Sequence, residues 1–190
     1  MCLIPGVLGF IACCVFDVNK IRWHLKSLNC FFTIGSVLIA LSTIWAISQS
    51  DFSLLIENFS FYHIGSLIGC ILSGIALIYV LFFALPFDDT YIKNATLTLV
   101  DHGAYALCRH PGFWVFTLFY LFLCLFLSNP VLLVGLFLYT GCNFFYICLQ
   151  DHYIFPLYIR DYKEYKKNVP FLLPTRQSIR KALGRHGLNK

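Results

Sequence analysis

Two short polar stretches interrupt an otherwise apolar chain, and their residue types are those that can do chemistry. The first runs Asp101-His102-Gly103-Ala104-Tyr105-Ala106-Leu107-Cys108-Arg109-His110-Pro111. The second opens at Gln150-Asp151 and resumes at Asp161-Tyr162-Lys163-Glu164-Tyr165-Lys166-Lys167-Asn168-Val169-Pro170. Pro111 suits the first turn of a helix, where its missing N–H costs nothing. Arg109 and His110 then stand at the N-terminal mouth of the apolar run that follows. Free N–H groups beside a guanidinium make an anion site. Gln150 and Asp151 close the next apolar run, where C-terminal carbonyls and a carboxylate favour a cation. Tyr105, one turn before Arg109, and the tyrosines after Asp151 add aromatic faces.

The elements that must position these residues are membrane spans. Of 190 residues, 59% are hydrophobic and only 12% charged, with a mean hydropathy of +0.75. A soluble domain carries about a quarter charged residues, so this chain cannot cover itself with polar groups. A spanning helix needs about 20 mainly apolar residues. Cys30 to Ser48, Ile64 to Leu85, Phe113 to Ser128 and Val131 to Leu149 meet or approach that length. A fifth run, Cys2 to Phe16, is shorter and holds Pro5 and Gly6, so it either spans or lies in the interface. The expectation is an all-α, polytopic transmembrane helix bundle of four or five spans, one domain over residues 1–190. The runs on either side of Asn129-Pro130 are joined tightly, so they are antiparallel neighbours. Their polar ends, Arg109-His110 and Gln150-Asp151, meet on one face.

The 14 lysines and arginines set the orientation. They fall after the first run, between the third and fourth (Lys93, Arg109), and in the tail, whereas the connection with Asp51 and Glu57 has none. The positive-inside rule makes the basic loops and the C-terminus cytoplasmic. The net charge of +5 reports that orientation and not nucleic-acid binding. The tail tyrosines alternate with charges, which predicts an amphipathic C-terminal helix on the cytoplasmic surface, kinked near Pro156 and stopped by Pro170. Eight of the nine cysteines sit in or beside apolar runs and read as small hydrophobes, with Cys108 alone in a polar connection. The start of the chain lacks the basic residues of a secretory signal. His102, Cys108 and His110 lack a fourth ligand and any usual metal spacing, so no metal is expected. The spans carry no polar series that would mark an ion path.

An anion site, a cation site and aromatic faces suit a ligand with a carboxylate, an ammonium, a sulfonium and an adenine ring. S-adenosylmethionine is one such ligand, and these complements leave others open. The pattern Gly103-x-Tyr105-x-x-x-Arg109-His110-Pro111, with Gln150-Asp151-x-x-Ile154 and Asp161-Tyr162-x-x-Tyr165-x-x-x-Val169-Pro170, resembles the isoprenylcysteine carboxyl methyltransferase and phospholipid methyltransferase superfamily. That family carries G-x-Y-x-x-x-R-H-P, then E-E-x-x-L and E-Y-x-x-Y-x-x-x-V-P at the same spacing. The likeness covers about Val100 to Pro174; the earlier spans resemble the family only in being apolar. Two departures stand out. Gln150-Asp151 replaces paired glutamates, and Phe113 stands where the family has a tyrosine.

The resemblance implies an integral membrane S-adenosylmethionine-dependent methyltransferase acting on a lipid-associated or hydrophobic acceptor. It implies a cofactor site of Tyr105, Arg109, His110, Pro111, Gln150, Asp151 and Tyr162, in which Arg109 is the residue to polarise the acceptor or hold the cofactor carboxylate. Asp151 would receive the cofactor's ammonium, and restoring the family acid at Gln150 would be neutral or would tighten binding. Membrane reductases of the steroid-reductase type share an R-H-P-like segment and use a nicotinamide cofactor, but carry an acid shortly after the proline. Here Gly112, Phe113, Trp114, Val115 and Phe116 follow. A non-catalytic membrane scaffold is the other competing reading.

Overall fold

The computed structural model describes residues 1–82, 99 and 102–183. Lys93, Asp101 and the last three residues of the run expected to end at Leu85 lie outside them. Helix α1 (Ile4–Val18) places Pro5 in its first turn, where proline is tolerated, and so the proline begins the helix instead of breaking it. A π-helical turn (Asn19–Trp23) extends α1 to a 20-residue apolar helix, so the first run is long enough to span. His24, at φ 54°, ends it. The Asn19 side chain closes the exit, donating to the Leu25 carbonyl at 3.0 Å and accepting from the Leu25 N–H at 2.9 Å.

Helix α2 (Phe31–Ser48) returns, and the short α3 (Phe52–Glu57) follows, capped by the Asp51 carboxylate on the Ser53 and Leu54 N–H groups. Then come α4 (Phe61–Phe82), the single turn α5 (Ala104–Leu107), α6 (Pro111–Leu127) and α7 (Pro130–Leu149). At 17 residues α6 is the shortest of the long apolar helices, about 25 Å at the α-helical rise. The described long helices are apolar all round, and α2 and α4 turn large aliphatic residues such as Leu41, Ile44, Leu72 and Ile75 outward. That is the pattern of a polytopic all-α membrane bundle.

Packing explains the arrangement. Helix α1 lies against α2, and α4 against α6; α7 touches α1, α2 and α6 and joins the two pairs. At the α1–α2 crossing Gly9 faces Gly35. A Cβ on Gly35 would sit 2.5 Å from the Gly9 carbonyl oxygen, so only glycine permits this approach. Polar side chains fasten the spans internally. The buried Tyr139 donates to the Leu3 carbonyl at 3.1 Å and meets Ser42 at 2.5 Å, and Thr43 meets Tyr120.

The two ends of the bundle differ in charge. At one end Arg22 donates to the Tyr153 hydroxyl at 2.8 Å, joining the α1–α2 connection to the residues after α7. At the other, Asn129 donates to the Ala46 carbonyl at 3.0 Å and to Ser50 at 2.8 Å. Every described lysine and arginine belongs to the first end; Asp51 and Glu57 belong to the second.

The tail departs from the expected single helix kinked near Pro156. A π-helical turn (Gln150–Ile154) carries α7 directly into α8 (Phe155–Tyr158), and Pro156 lies harmlessly in the first turn of α8. The break falls later, at Ile159–Asp161, where Asp161 takes φ 61°. Helix α9 (Tyr162–Asn168) then stops just before Pro170, and α10 (Arg176–Ala182) follows with a Thr175–Ser178 capping box. The apolar side of α9 faces inward: Tyr162, Tyr165 and Val169 pack with Leu99, Phe155 and Ile159.

Candidate functional site

The antiparallel α6–α7 pair does bring the two polar stretches together. The main chain ties them first, with the Arg109 N–H donating to the Pro170 carbonyl at 2.9 Å. The Arg109 guanidinium then pairs with Asp151 side-on, Nε to Oδ1 at 2.8 Å and Nη2 to Oδ2 at 3.3 Å, while Nη1 donates to the Lys166 carbonyl at 3.1 Å. Lys166 Nζ pairs with Asp151 Oδ2 at 2.8 Å, the Tyr162 hydroxyl donates to Oδ1 at 2.6 Å, and His110 Nε2 faces Oδ1 at 3.4 Å. Asp151 is wholly buried inside this ring.

That ring corrects one expectation. Asp151 does not wait for a ligand's ammonium, because its carboxylate already has two cations, a phenol and an imidazole around it. Nor is it among the residues that line the adjoining cavity. The cation favoured at the end of α7 is supplied internally. Asp151 acts as the anchor that aims Arg109 and draws Tyr162 and Lys166 of α9 onto the end of α7.

Burial sets the protonation states. It holds the His110 imidazole below the usual histidine value, against the opposing pull of Asp151. His110 is therefore neutral at pH 7, stacked on Phe155 at 5.9 Å and edge-on to Phe171 at 5.2 Å. Burial and the Asp151 carboxylate both push the Tyr162 phenol up, so it stays a donor. Tyr105 and Cys108 are likewise pushed up by burial, which leaves Cys108 an unreactive thiol. Cys108 is in fact buried, although its polar neighbours marked it as the exception among the cysteines. All nine cysteines are free.

Arg109, His110 and Pro111 open onto a cavity of about 580 Å³ between the two helix pairs, the size range of small-molecule sites. Tyr105, Tyr162 and Gln150 line it too, so every expected site residue except Asp151 reaches it. Its remaining walls are mainly apolar, from Phe10 and Cys13 of α1, Ile39 of α2, Leu77 of α4 and Phe116 of α6, with Thr43 and Asn143 among the polar exceptions. Along α2, Ser36, Ala40 and Ile44 recur every fourth residue; they line the cavity and are also exposed on the outer surface. The cavity therefore opens sideways beside α2, towards α4, on the apolar flank of the bundle.

A second polar wing faces the same cavity, and the sequence reading missed it. Asp17 and Lys20, one turn apart at the end of α1, both line the space. Gln150 Nε2 donates to Asp17 Oδ2 at 2.8 Å, so Gln150 serves this wing and not the Asp151 ring. Tyr146 also donates to Asp17, and Lys20 balances its charge. Lys20 lies over the rings of Phe16 and Tyr158 at 4.5 and 5.2 Å. A glutamate at position 150 would set a second carboxylate against Asp17. The signal was available, since an acid at the end of an apolar run is itself a mark of function.

The fold and cavity define a multi-span helical membrane protein with a laterally open pocket and two polar wings. No family model, curated protein or solved structure matches the chain.

Proposed function

We propose that the protein is an S-adenosylmethionine-dependent methyltransferase acting on a hydrophobic acceptor that arrives through the bilayer. The observation that carries this is the Arg109–Asp151 clamp at the mouth of α6, with Arg109 and neutral His110 presented to a laterally open cavity. Both motif segments of the resemblance converge on that clamp. The donor set suits the cofactor: Arg109 for the carboxylate, and Tyr105, Phe155, Tyr158 and Tyr162 as aromatic faces for a sulfonium and a purine. A cavity of about 580 Å³ has room for such a molecule.

When bound, the cofactor supplies an electrophilic methyl carbon for in-line displacement. The chain's part is alignment and exclusion of water. Asp151 and the Lys166 carbonyl fix the guanidinium plane, so Arg109 meets an anionic or polarised oxygen without reorganising. Pro111 and the Arg109–Pro170 bond fix the backbone from which both side chains project. Phe113, where the family has tyrosine, packs edge-on to Trp114 and Phe144 and has no hydroxyl for this site to lose. The basic end of the bundle, carrying the cavity's polar wings, would be cytoplasmic by the positive-inside rule.

Reconstituted protein supplied with methyl-labelled S-adenosylmethionine and a membrane lipid extract tests this reading. Label should pass into the organic phase with wild type and not with Arg109→Ala. No transfer, with cofactor binding intact, would favour the non-catalytic scaffold. Oxidation of a reduced nicotinamide cofactor instead would favour the reductase.

A further inference from the structure

Asp17 and Lys20 have no part in the cofactor reading, yet they line the same cavity. Asp17 is almost fully buried at the end of α1, and its cost of burial has to be met by hydrogen bonds. A carboxylate offers about four lone-pair positions. Gln150 and Tyr146 each donate to it, and Lys20 balances its charge; these two donors fill fewer than the four positions, and Asp17 lines the cavity. With Lys20 already the counter-ion, the wing has no call for a second full charge. A carboxylate head would meet Asp17 as a like charge, and an ether or ester would leave its lone pairs unanswered. What fits is a group that donates a hydrogen bond. The body attached to it would lie among Ile39, Ala40 and Ile44 of α2 and Leu77 of α4, where the cavity opens to the apolar flank.

We propose that Asp17, held by Gln150, receives the hydroxyl head of a membrane-dissolved amphiphile, an alcohol on an apolar body lying between α2 and α4. That this amphiphile is the methyl acceptor rests on the function proposed above; the head-group site itself rests on the cavity alone. The acceptor class is then a hydroxyl oxygen carrying a proton, and neither a carboxylate nor an amine. Its O-methylated form has lost the donor that Asp17 recognises, so the wing discriminates against its own product.

Photo-crosslinking of the full chain in lipid nanodiscs tests the site without any cofactor. Four probes share one dodecyl chain with a mid-chain diazirine and end in an alcohol, a primary amine, a carboxylic acid or the methyl ether of the alcohol. The alcohol should label α2 and α4 peptides around Ala40, Ile44 and Leu77 about fivefold more than the ether, the worth of one ordinary hydrogen bond. Asp17→Asn offers an amide N–H that alcohol and ether oxygens accept alike, and should abolish the preference for the alcohol. Equal labelling by alcohol and ether in wild type, or strongest labelling by the acid or by the amine, which is cationic at neutral pH, overturns the proposal, and so does a preference for the alcohol that survives Asp17→Asn. The wild-type comparison stands even if the variant fails to fold. S-adenosylmethionine affinity, measured on the same preparation, separates the two claims: its absence with the probe pattern intact removes the methyltransferase reading and leaves the head-group site.

Discussion

At the scale of residues, Asp151 is the keystone, and its importance is electrostatic. It holds Arg109, Lys166 and Tyr162 within 2.6 to 2.8 Å and is wholly buried. Breaking such a pair from one side strands a cation, which costs about 3–5 kcal/mol. Asp151→Asn should therefore lower the unfolding free energy by about that amount, read by thermal unfolding in detergent; a loss below about 1 kcal/mol is what a solvated surface pair would give. Gln150→Glu should also destabilise, because it trades the amide donor to Asp17 for a second carboxylate. Unchanged unfolding would mean that the Gln150 amide is not needed to hold Asp17. His110 gives a pH dependence. Its folded pKa lies below the ordinary 6.5, with Asp151, Arg109 and Lys166 facing the ring, so the unfolded chain binds the proton first as pH falls. The contribution is complete above 6.5 and is lost as pH drops through that value towards the folded pKa. Wild-type stability should fall over that window more steeply than that of His110→Asn; parallel profiles would remove His110 as the cause.

At the scale of elements, the strongest constraint is the α1–α2 crossing. Gly35→Ala places a methyl 2.5 Å from the Gly9 carbonyl and 2.7 Å from the Cys13 sulfur, and backbone cannot yield as a side chain can. The expected loss is about 1–3 kcal/mol, whereas Gly65→Ala, with open space around it, should be neutral or slightly stabilising. Comparable losses at both positions would mean the crossing is not tight. Helix identity was legible in the sequence because apolar length fixes spans. Helix ends were not. Asn19–Trp23 and Gln150–Ile154 extend two spans as π-helical turns, where polar residues had suggested the helix was over. Asp17 was hidden in a similar way: the apolar run ends at Phe16, whereas α1 continues past the acid and sets it against the cavity. The single-helix tail failed for a related reason. Proline is a breaker in a helix interior but not in a first turn, so the break moved from Pro156 to the left-handed Asp161.

At the scale of the whole molecule, two helix pairs joined by α7 leave a pocket that opens sideways, with polar wings at its basic end. The meeting of Arg109 with the end of α7 was legible, because a tight Asn129-Pro130 turn forces antiparallel neighbours. Which side chains face the cavity was not, since that depends on how α7 rotates against α1. Orientation has its own test. In a background lacking native thiols, a cysteine at the exposed Lys163 should resist an impermeant reagent added to intact cells, and one at Asp51 should react; the opposite pattern would invert the bundle. The central claim is that Arg109 and His110 hold S-adenosylmethionine at the mouth of α6. Titration calorimetry of the cofactor into purified protein in nanodiscs, for wild type, Arg109→Ala and His110→Ala, measures it directly. Saturable binding to wild type is expected, weakened in each variant by about 1.5–3 kcal/mol, the worth of a hydrogen bond to a charged group. No binding to wild type, or equal affinity in all three folded proteins, would contradict it.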